Sequence, residues 1–293
     1  MKDKFKGLGI ALVTPFCDDG GVDYAALTRI IDYQIANGAD FFCILATTGE
    51  IPTLTEEEKS SIRKHVINAV AGRTPILIGC GGNNTAAVCE ELRTADFTGI
   101  DGVLSICPYY NKPTQEGLYQ HFCAISEASS LPIVLYNVPG RTGVNLTADT
   151  TLRLAADCDN IVAIKEASGN MTQILDILHR KPADFDVFSG DDALTLDMMK
   201  AGAVGVISVI GNALTERFAT LVHLAQQGRY DEAMEIDRTL TDLYRLLFVD
   251  GNPSGVKEVM SQMGLLRNVL RLPLVPVTAK TSQDIKSSLE VLR

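Results

Sequence analysis

Short apolar runs separated by stretches of helical character dominate the pattern of this chain. The runs fall at 9–13, 41–45, 75–78, 103–106, 132–135, 161–164, 187–188 and 204–209. Each is apolar almost throughout rather than alternating, as expected of strands buried on both faces. The segments between them carry helix-start signals: Asp23 stands before residues 24–36, and Thr55 precedes Glu56, Glu57 and Glu58, whose charges suit the positive end of a helix dipole. Eight strand–helix alternations in a chain of this length predict an α/β protein of the (β/α)8 TIM-barrel class, with the barrel over 1–213. A doubly wound sheet is the alternative. It calls for a phosphate-binding glycine fingerprint, and Gly79-Cys80-Gly81-Gly82-Asn83-Asn84 lacks the final glycine, so this stretch reads as a tight strand-to-helix turn. After Gly211 only helical patterns remain, at 214–227, 230–248 and 256–263, which makes 214–293 a C-terminal helical extension too short for an independent domain. His223 within it reads as a packing residue.

In a (β/α)8 barrel the chemistry sits where the strands end, so the polar residues after each run converge. They are Ala46-Thr47-Thr48-Gly49-Glu50, Pro108-Tyr109-Tyr110-Asn111, Tyr136-Asn137-Val138-Pro139-Gly140-Arg141-Thr142-Gly143, Lys165, and Ser189-Gly190-Asp191-Asp192. Lys165 closes the sixth apolar run. A lysine there loses hydration, which disfavours the ammonium form, and a neutral amine can attack a carbonyl to form a Schiff base. The bland alternative is a strand-end lysine reaching solvent. Each neighbour has a bland reading too: Thr47 and Thr48 as helix caps, the two tyrosines as an aromatic lid, Asp191 and Asp192 as the first turn of the next helix. Arg141, held in a Pro-Gly-Arg-Thr-Gly loop, reads as an anion clamp. Their convergence on one rim favours the catalytic reading of Lys165.

Composition narrows the classes further. The 293 residues are 46% hydrophobic and 21% charged, enough for a sizeable core, and the net charge of -10 with no basic run argues against a nucleic-acid partner. Lys2, Lys4 and Lys6 before an apolar stretch loosely imitate a secretion signal, but Thr14-Pro15 replaces a small-residue cleavage site and a first strand is the better reading. No apolar stretch is long enough for a membrane span, so no membrane partner is expected. Seven dispersed cysteines without a C-x-x-C pair predict reduced thiols in a cytoplasm. Four scattered histidines form no ligand cluster, so neither metal nor cofactor is expected, and the electrophile would be an iminium at Lys165.

These motifs, in this order, resemble the dihydrodipicolinate synthase family of pyruvate-dependent, Schiff-base class I aldolases, over nearly the whole chain. Residues 9–16, Thr47-Thr48-Gly49-Glu50, residues 108–113, 136–143 and 164–169, Ser189-Gly190-Asp191-Asp192 and residues 205–209 carry the resemblance. Ala46 departs from it, standing where the family usually has glycine. The resemblance implies that Lys165 forms an imine with pyruvate, that Tyr136 shuttles protons, and that Thr47 links Tyr136 to Tyr110 of a neighbouring subunit. It implies further that Thr48 holds the pyruvate carboxylate, that the Gly190 and Ile207 backbones line the pocket, and that Arg141 binds the carboxylate of aspartate semialdehyde. A homotetramer built as a dimer of dimers is the implied assembly. Rival readings are an N-acetylneuraminate lyase or a 2-keto-3-deoxy sugar acid aldolase, which generally lack an arginine at position 141, or a non-catalytic keto-acid-binding barrel. In relatives inhibited by lysine, histidines and an acidic residue hold the effector. Glu56, Lys59 and Ala87 occupy those positions here, so little inhibition is expected.

Overall fold

The computed structural model describes residues 4–292, so Lys2 of the leader-like start and Arg293 at the end of the extension lie outside the described residues. Eight parallel strands close on themselves: β1 (Gly7–Ala11), β2 (Phe41–Ile44), β3 (Ile76–Gly79), β4 (Gly102–Ile106), β5 (Ile133–Asn137), β6 (Ile161–Glu166), β7 (Asp186–Ser189) and β8 (Gly205–Ser208). The seam is the parallel pairing of β1 with β8, from Gly7 opposite Gly205 to Ile10 opposite Ser208. That closure excludes the open doubly wound sheet.

The uniformly apolar runs follow from the two environments that each strand separates. Phe41, Cys43, Leu77, Leu104, Val134, Tyr136, Ala163, Phe188 and Ile207 point inward and fill the barrel, with Phe5 edge-on to Phe41 at 5.4 Å at its lower end. Their neighbours in sequence, including Ile10, Phe42, Ile78, Leu135, Ile164 and Val206, point outward against the helices. Both faces are therefore apolar. Each such side chain contributes about 1.5 to 3 kcal/mol when fully buried.

The crossover helices are α1 (Tyr24–Ala36), α2 (Glu56–Val70), α3 (Thr85–Thr94), α4 (Gln115–Ala128), the single turn α5 (Pro139–Thr142), α6 (Ala148–Asp157), α7 (Met171–Arg180) and α8 (Thr195–Lys200). Asp23 caps α1 by accepting from the Ala26 amide at 2.9 Å. Thr55 and Glu58 cap α2 reciprocally: the Glu58 amide donates to Thr55 Oγ1 at 3.1 Å and the Thr55 amide to Glu58 Oε2 at 2.9 Å. Beyond β8 come α9 (Thr215–Gln226), α10 (Tyr230–Val249), α11 (Ser254–Gln262) and α12 (Ala279–Val291). Helix α9 packs on β1 and β8, completing the eighth strand–helix unit, while α10 packs on α8 and α9 and carries α11 and α12. On this packing we propose counting α9 with the barrel, which moves the extension's start from 214 to the turn before α10.

Three details differ from the sequence reading. Strand β1 ends at Ala11 rather than 13, because the Val13 amide turns away to donate to Asn212 Oδ1 at 3.1 Å. Strands β5 and β6 run on to Asn137 and Glu166, so Tyr136 and Lys165 stand within their strands, directly opposite each other in register, and not after them. His223 is not a packing residue: its Nε2 lies 2.8 Å from Asp40 Oδ2, which also accepts from the Leu8 amide at 2.7 Å, and this polar bridge ties α9 to the start of β1.

Candidate active site

Strand parity decides where Lys165 points. Ala163 faces the barrel interior, so Lys165, two residues on, faces it too, while Glu166 faces the helices. Lys165 is 5% exposed, and its Nζ lies 4.6 Å from the centroid of the Tyr136 ring on the adjacent strand. Next to it is Gly190, at the end of β7. A methyl at that position would stand 3.0 Å from Lys165 Cε and 2.6 Å from Ala167 Cβ, so glycine leaves the lysine room to extend. Ile207, fully buried on β8, belongs to the same interior cluster as Tyr136.

Glu166 is held behind the lysine. Fully buried, it accepts from the Ser168 amide at 2.7 Å, from Asn137 Nδ2 at 3.2 Å and from Gln173 Nε2 at 3.0 Å. Asn137 Oδ1 in turn accepts from the Leu146 amide at 3.0 Å. A buried carboxylate with this many donors fixes the strand end beside Lys165.

Tyr136, the neighbour of the lysine, is a wall of a cavity of about 400 Å³ that Thr47, Tyr109, Arg141 and Asn252 also line. Thr47, Thr48 and Gly49 form a 3-10 turn of their own instead of capping a helix, bracketed by Leu45 and Glu50 in the left-handed region at φ 50° and 57°. This sharp double turn depends on Gly79, where a methyl would come within 2.1 Å of the Leu45 carbonyl oxygen. Ala46 has φ -114° and ψ -170°, ordinary extended geometry, so its methyl is accommodated without backbone strain. Thr48 Oγ1, buried, accepts from Asn252 Nδ2 at 3.1 Å, and the Asn252 carbonyl accepts from Arg141 Nη2 at 3.2 Å.

The chain does not bring Tyr110 to the others. It is 88% exposed with φ 73°, on a loop fixed by Asn83 Nδ2 donating to the Tyr109 carbonyl at 3.2 Å and Asn111 Nδ2 to the Asn83 carbonyl at 3.1 Å. The two aspartates divide their work. Asp191 caps the turn before α8, donated to by the Ala193 amide at 3.0 Å, whereas buried Asp192 accepts from the Ile210 amide at 2.7 Å and ties the β7 loop to the β8 loop. Burial pushes the Asp192 carboxyl up to about 6 despite those donors. Among the described residues no group of three or more His, Cys, Asp or Glu side chains is placed to hold a metal ion.

Residues 4–292 match the model of the dihydrodipicolinate synthetase family. The chain belongs to that family. It is 56% identical over 293 residues to the 4-hydroxy-tetrahydrodipicolinate synthase of Phocaeicola vulgatus, covering 100% of this chain and 99% of that one. The crystal structure of dihydrodipicolinate synthase from Thermotoga maritima superposes with a TM-score of 0.95 at 41% identity, covering 98% of each chain. A monomeric dihydrodipicolinate synthase variant gives the same TM-score and identity, covering 99% of this chain and 97% of that one.

Several residues in and around the cavity were not singled out from the sequence. Asn252 comes from the α10–α11 connection, far from any barrel strand in sequence; the only local signal is the turn chemistry of Asp250-Gly251-Asn252-Pro253. Lys257 and Glu50, both fully buried side chains, form an ion pair that fastens α11 to the loop bearing Thr47 and Thr48. Lys257 Nζ also donates to the Val269 carbonyl at 2.9 Å and lies 4.2 Å from the Phe16 ring centroid. Burial pushes the Lys257 ammonium below its ordinary value, opposed by the attraction of Glu50. Beside it Arg271 bonds both Glu58 oxygens, at 2.7 and 2.5 Å, holding the Glu58 carboxyl down to about 2.

Proposed function

We propose that this chain is a lyase that condenses pyruvate with aspartate 4-semialdehyde to give 4-hydroxy-tetrahydrodipicolinate, in the cytoplasmic synthesis of diaminopimelate and lysine. The observation that carries the reading is the placement of Lys165 Nζ against the ring of Tyr136, itself a wall of the cavity that Arg141 also lines. The Lys165 amine attacks the pyruvate ketone and water leaves, giving an iminium. Its positive charge makes the methyl protons acidic, and loss of one gives an enamine that adds to the aldehyde carbon. The amine of the second substrate then attacks the imine carbon, the ring closes and Lys165 departs as a free amine.

In this scheme Tyr136 moves the protons for imine formation and closure, and Thr47 relays them to Tyr110 of a neighbouring subunit. Thr48 holds the pyruvate carboxylate, Gly190 and Ile207 shape the floor, and Arg141 receives the carboxylate of the semialdehyde. Arg141 separates this reading from a sugar-acid aldolase, because a small acidic aldehyde requires a cationic partner. A binding-only barrel has no use for a phenol beside the amine. The test is to offer the pyruvate-loaded protein aspartate semialdehyde and N-acetylmannosamine or glyceraldehyde in parallel. Preferential turnover of the semialdehyde is expected; preference for the sugar aldehyde overturns the substrate assignment.

A further inference from the structure

Outside the barrel mouth, Cys123 on α4 and Cys158 at the C-terminal end of α6 bring their Sγ atoms to 3.6 Å. All seven cysteines are free, and among the described residues this is the one pair whose sulfurs are in contact. The contact is built into the packing. Along α4, Tyr119, Cys123 and Ser126 follow the four-and-three spacing of one helix face. They meet Asp157, Cys158 and Asn160 in turn. Tyr119 Oη donates to Asp157 Oδ2 at 2.8 Å, with the Arg153 guanidinium stacked 3.4 Å from its ring centroid. On the other side Ser126 Oγ bonds Asn160 Oδ1, and Asn160 Nδ2 donates to the Ser126 carbonyl at 2.9 Å. The two thiols are thus held together between two polar clamps.

They are also reachable. A surface cavity of about 690 Å³ is lined by both cysteines together with Tyr119, Asp157 and Asn160. Cys123 is half-buried and Cys158 buried, so an incoming reagent meets Cys123 first.

We propose that Cys123 and Cys158 form a reversible dithiol–disulfide site that reacts with hydroperoxides. The Cys123 thiolate attacks a peroxide oxygen, the O–O bond breaks, and the sulfur becomes a sulfenic acid as one water or alcohol leaves. The Cys158 sulfur then attacks that sulfur, an S–S bond forms, and the sulfenic oxygen leaves as water. Two thiols are oxidised and one hydroperoxide is reduced. To bond, the sulfurs must approach from 3.6 Å to about 2.05 Å. Burial and the bond to the Cys123 thiol push the Cys158 thiol up to about 11, so Cys158 holds little thiolate and the first step falls to the more exposed Cys123. Cys158 opens the short connection into β6, so the bond fastens α4 to the base of the strand that carries Lys165.

The wild-type protein is treated with a small excess of hydrogen peroxide, its remaining thiols are alkylated, and it is digested without reductant. The expected result is a loss of two hydrogens per chain, one cross-linked peptide pair joining Cys123 to Cys158, and recovery of both thiols with dithiothreitol. In Cys158→Ser the same treatment with dimedone present should label Cys123 as a trapped sulfenic acid. Both peptides recovered with free thiols, oxidation confined to half-buried Cys17, or equal dimedone labelling of Cys123 in wild type and variant overturns the proposal.

Discussion

Arg141 sits in a single helical turn and lines the cavity, its guanidinium bonded to the Asn252 carbonyl. On the proposed reading, replacing it with alanine removes a charge-assisted contact made only to the second substrate. Such a contact is worth about 1.5 to 3 kcal/mol, so kcat/KM for aspartate semialdehyde should fall about tenfold to a hundredfold while pyruvate imine formation is retained. Steady-state kinetics with each substrate varied in turn, alongside imine trapping, reads the split. Equal losses for both contradict the clamp. At this scale the sequence is informative where a residue is polar against an apolar background: Lys165 follows four apolar residues, and Arg141 stands between two glycines. Asn252 was not legible, because its partners Thr48 and Arg141 lie 204 and 111 residues away and only the folded chain assembles them. The Lys257–Glu50 pair was hidden for the same reason, the partners being 207 residues apart.

The elements themselves were legible where local chemistry defines them. Asp23 and Thr55 cap helices as their spacing implies, and every apolar run became a strand. Strand ends were not, since they depend on which neighbour takes the next amide; Asn212 takes that of Val13, 199 residues away. Helix α12 was missed because it buries little more than Thr281 and Ile285, leaving a weak apolar stripe. The α9–β1 bridge gives a prediction at this scale. Hydrogen bonding to Asp40 raises the His223 imidazole above its ordinary 6.5, in spite of partial burial. A raised value in the folded state means the unfolded chain holds fewer protons, so this stabilisation is fully present below pH about 6.5 and is lost as pH rises through the raised value. Both side chains are 36% exposed, and solvent screening keeps the effect small. The Tm of wild type should exceed that of His223→Gln most near pH 6, with the gap narrowing at alkaline pH; a gap that widens with rising pH refutes the assignment.

Across the whole molecule, one polar residue is out of place for a self-contained site. Tyr110 projects into solvent from a loop whose backbone is pinned by Asn83 and Asn111. If a partner chain receives it, mixing Tyr110→Phe with Lys165→Ala under conditions that exchange subunits should restore some competent sites, since each hybrid can combine one intact Tyr110 with one intact Lys165. Inactivity of demonstrably mixed assemblies places Tyr110 elsewhere. The positions that hold the effector in lysine-inhibited relatives give a further prediction. Lys59 Nζ bonds Glu56 Oε1 at 2.7 Å, so this carboxylate is already engaged by a cation of the chain, and Ala87 offers no acid in its place. Little inhibition by millimolar lysine is expected in a titration at subsaturating pyruvate; saturable inhibition in the submillimolar range contradicts it. The barrel was legible as a whole because eight two-sided apolar runs leave few other closed arrangements. Its assembly was not, because an exposed tyrosine reads the same in sequence whether water or a partner covers it.

The account stands on an imine at Lys165. Incubating the protein with pyruvate and borohydride, then mapping the adduct by peptide mass, should place one reduced pyruvate on Lys165, with none in Lys165→Ala and none in Lys165→Arg, whose guanidinium stays protonated and cannot attack. An adduct on another lysine, or an undiminished one in either variant, contradicts the account.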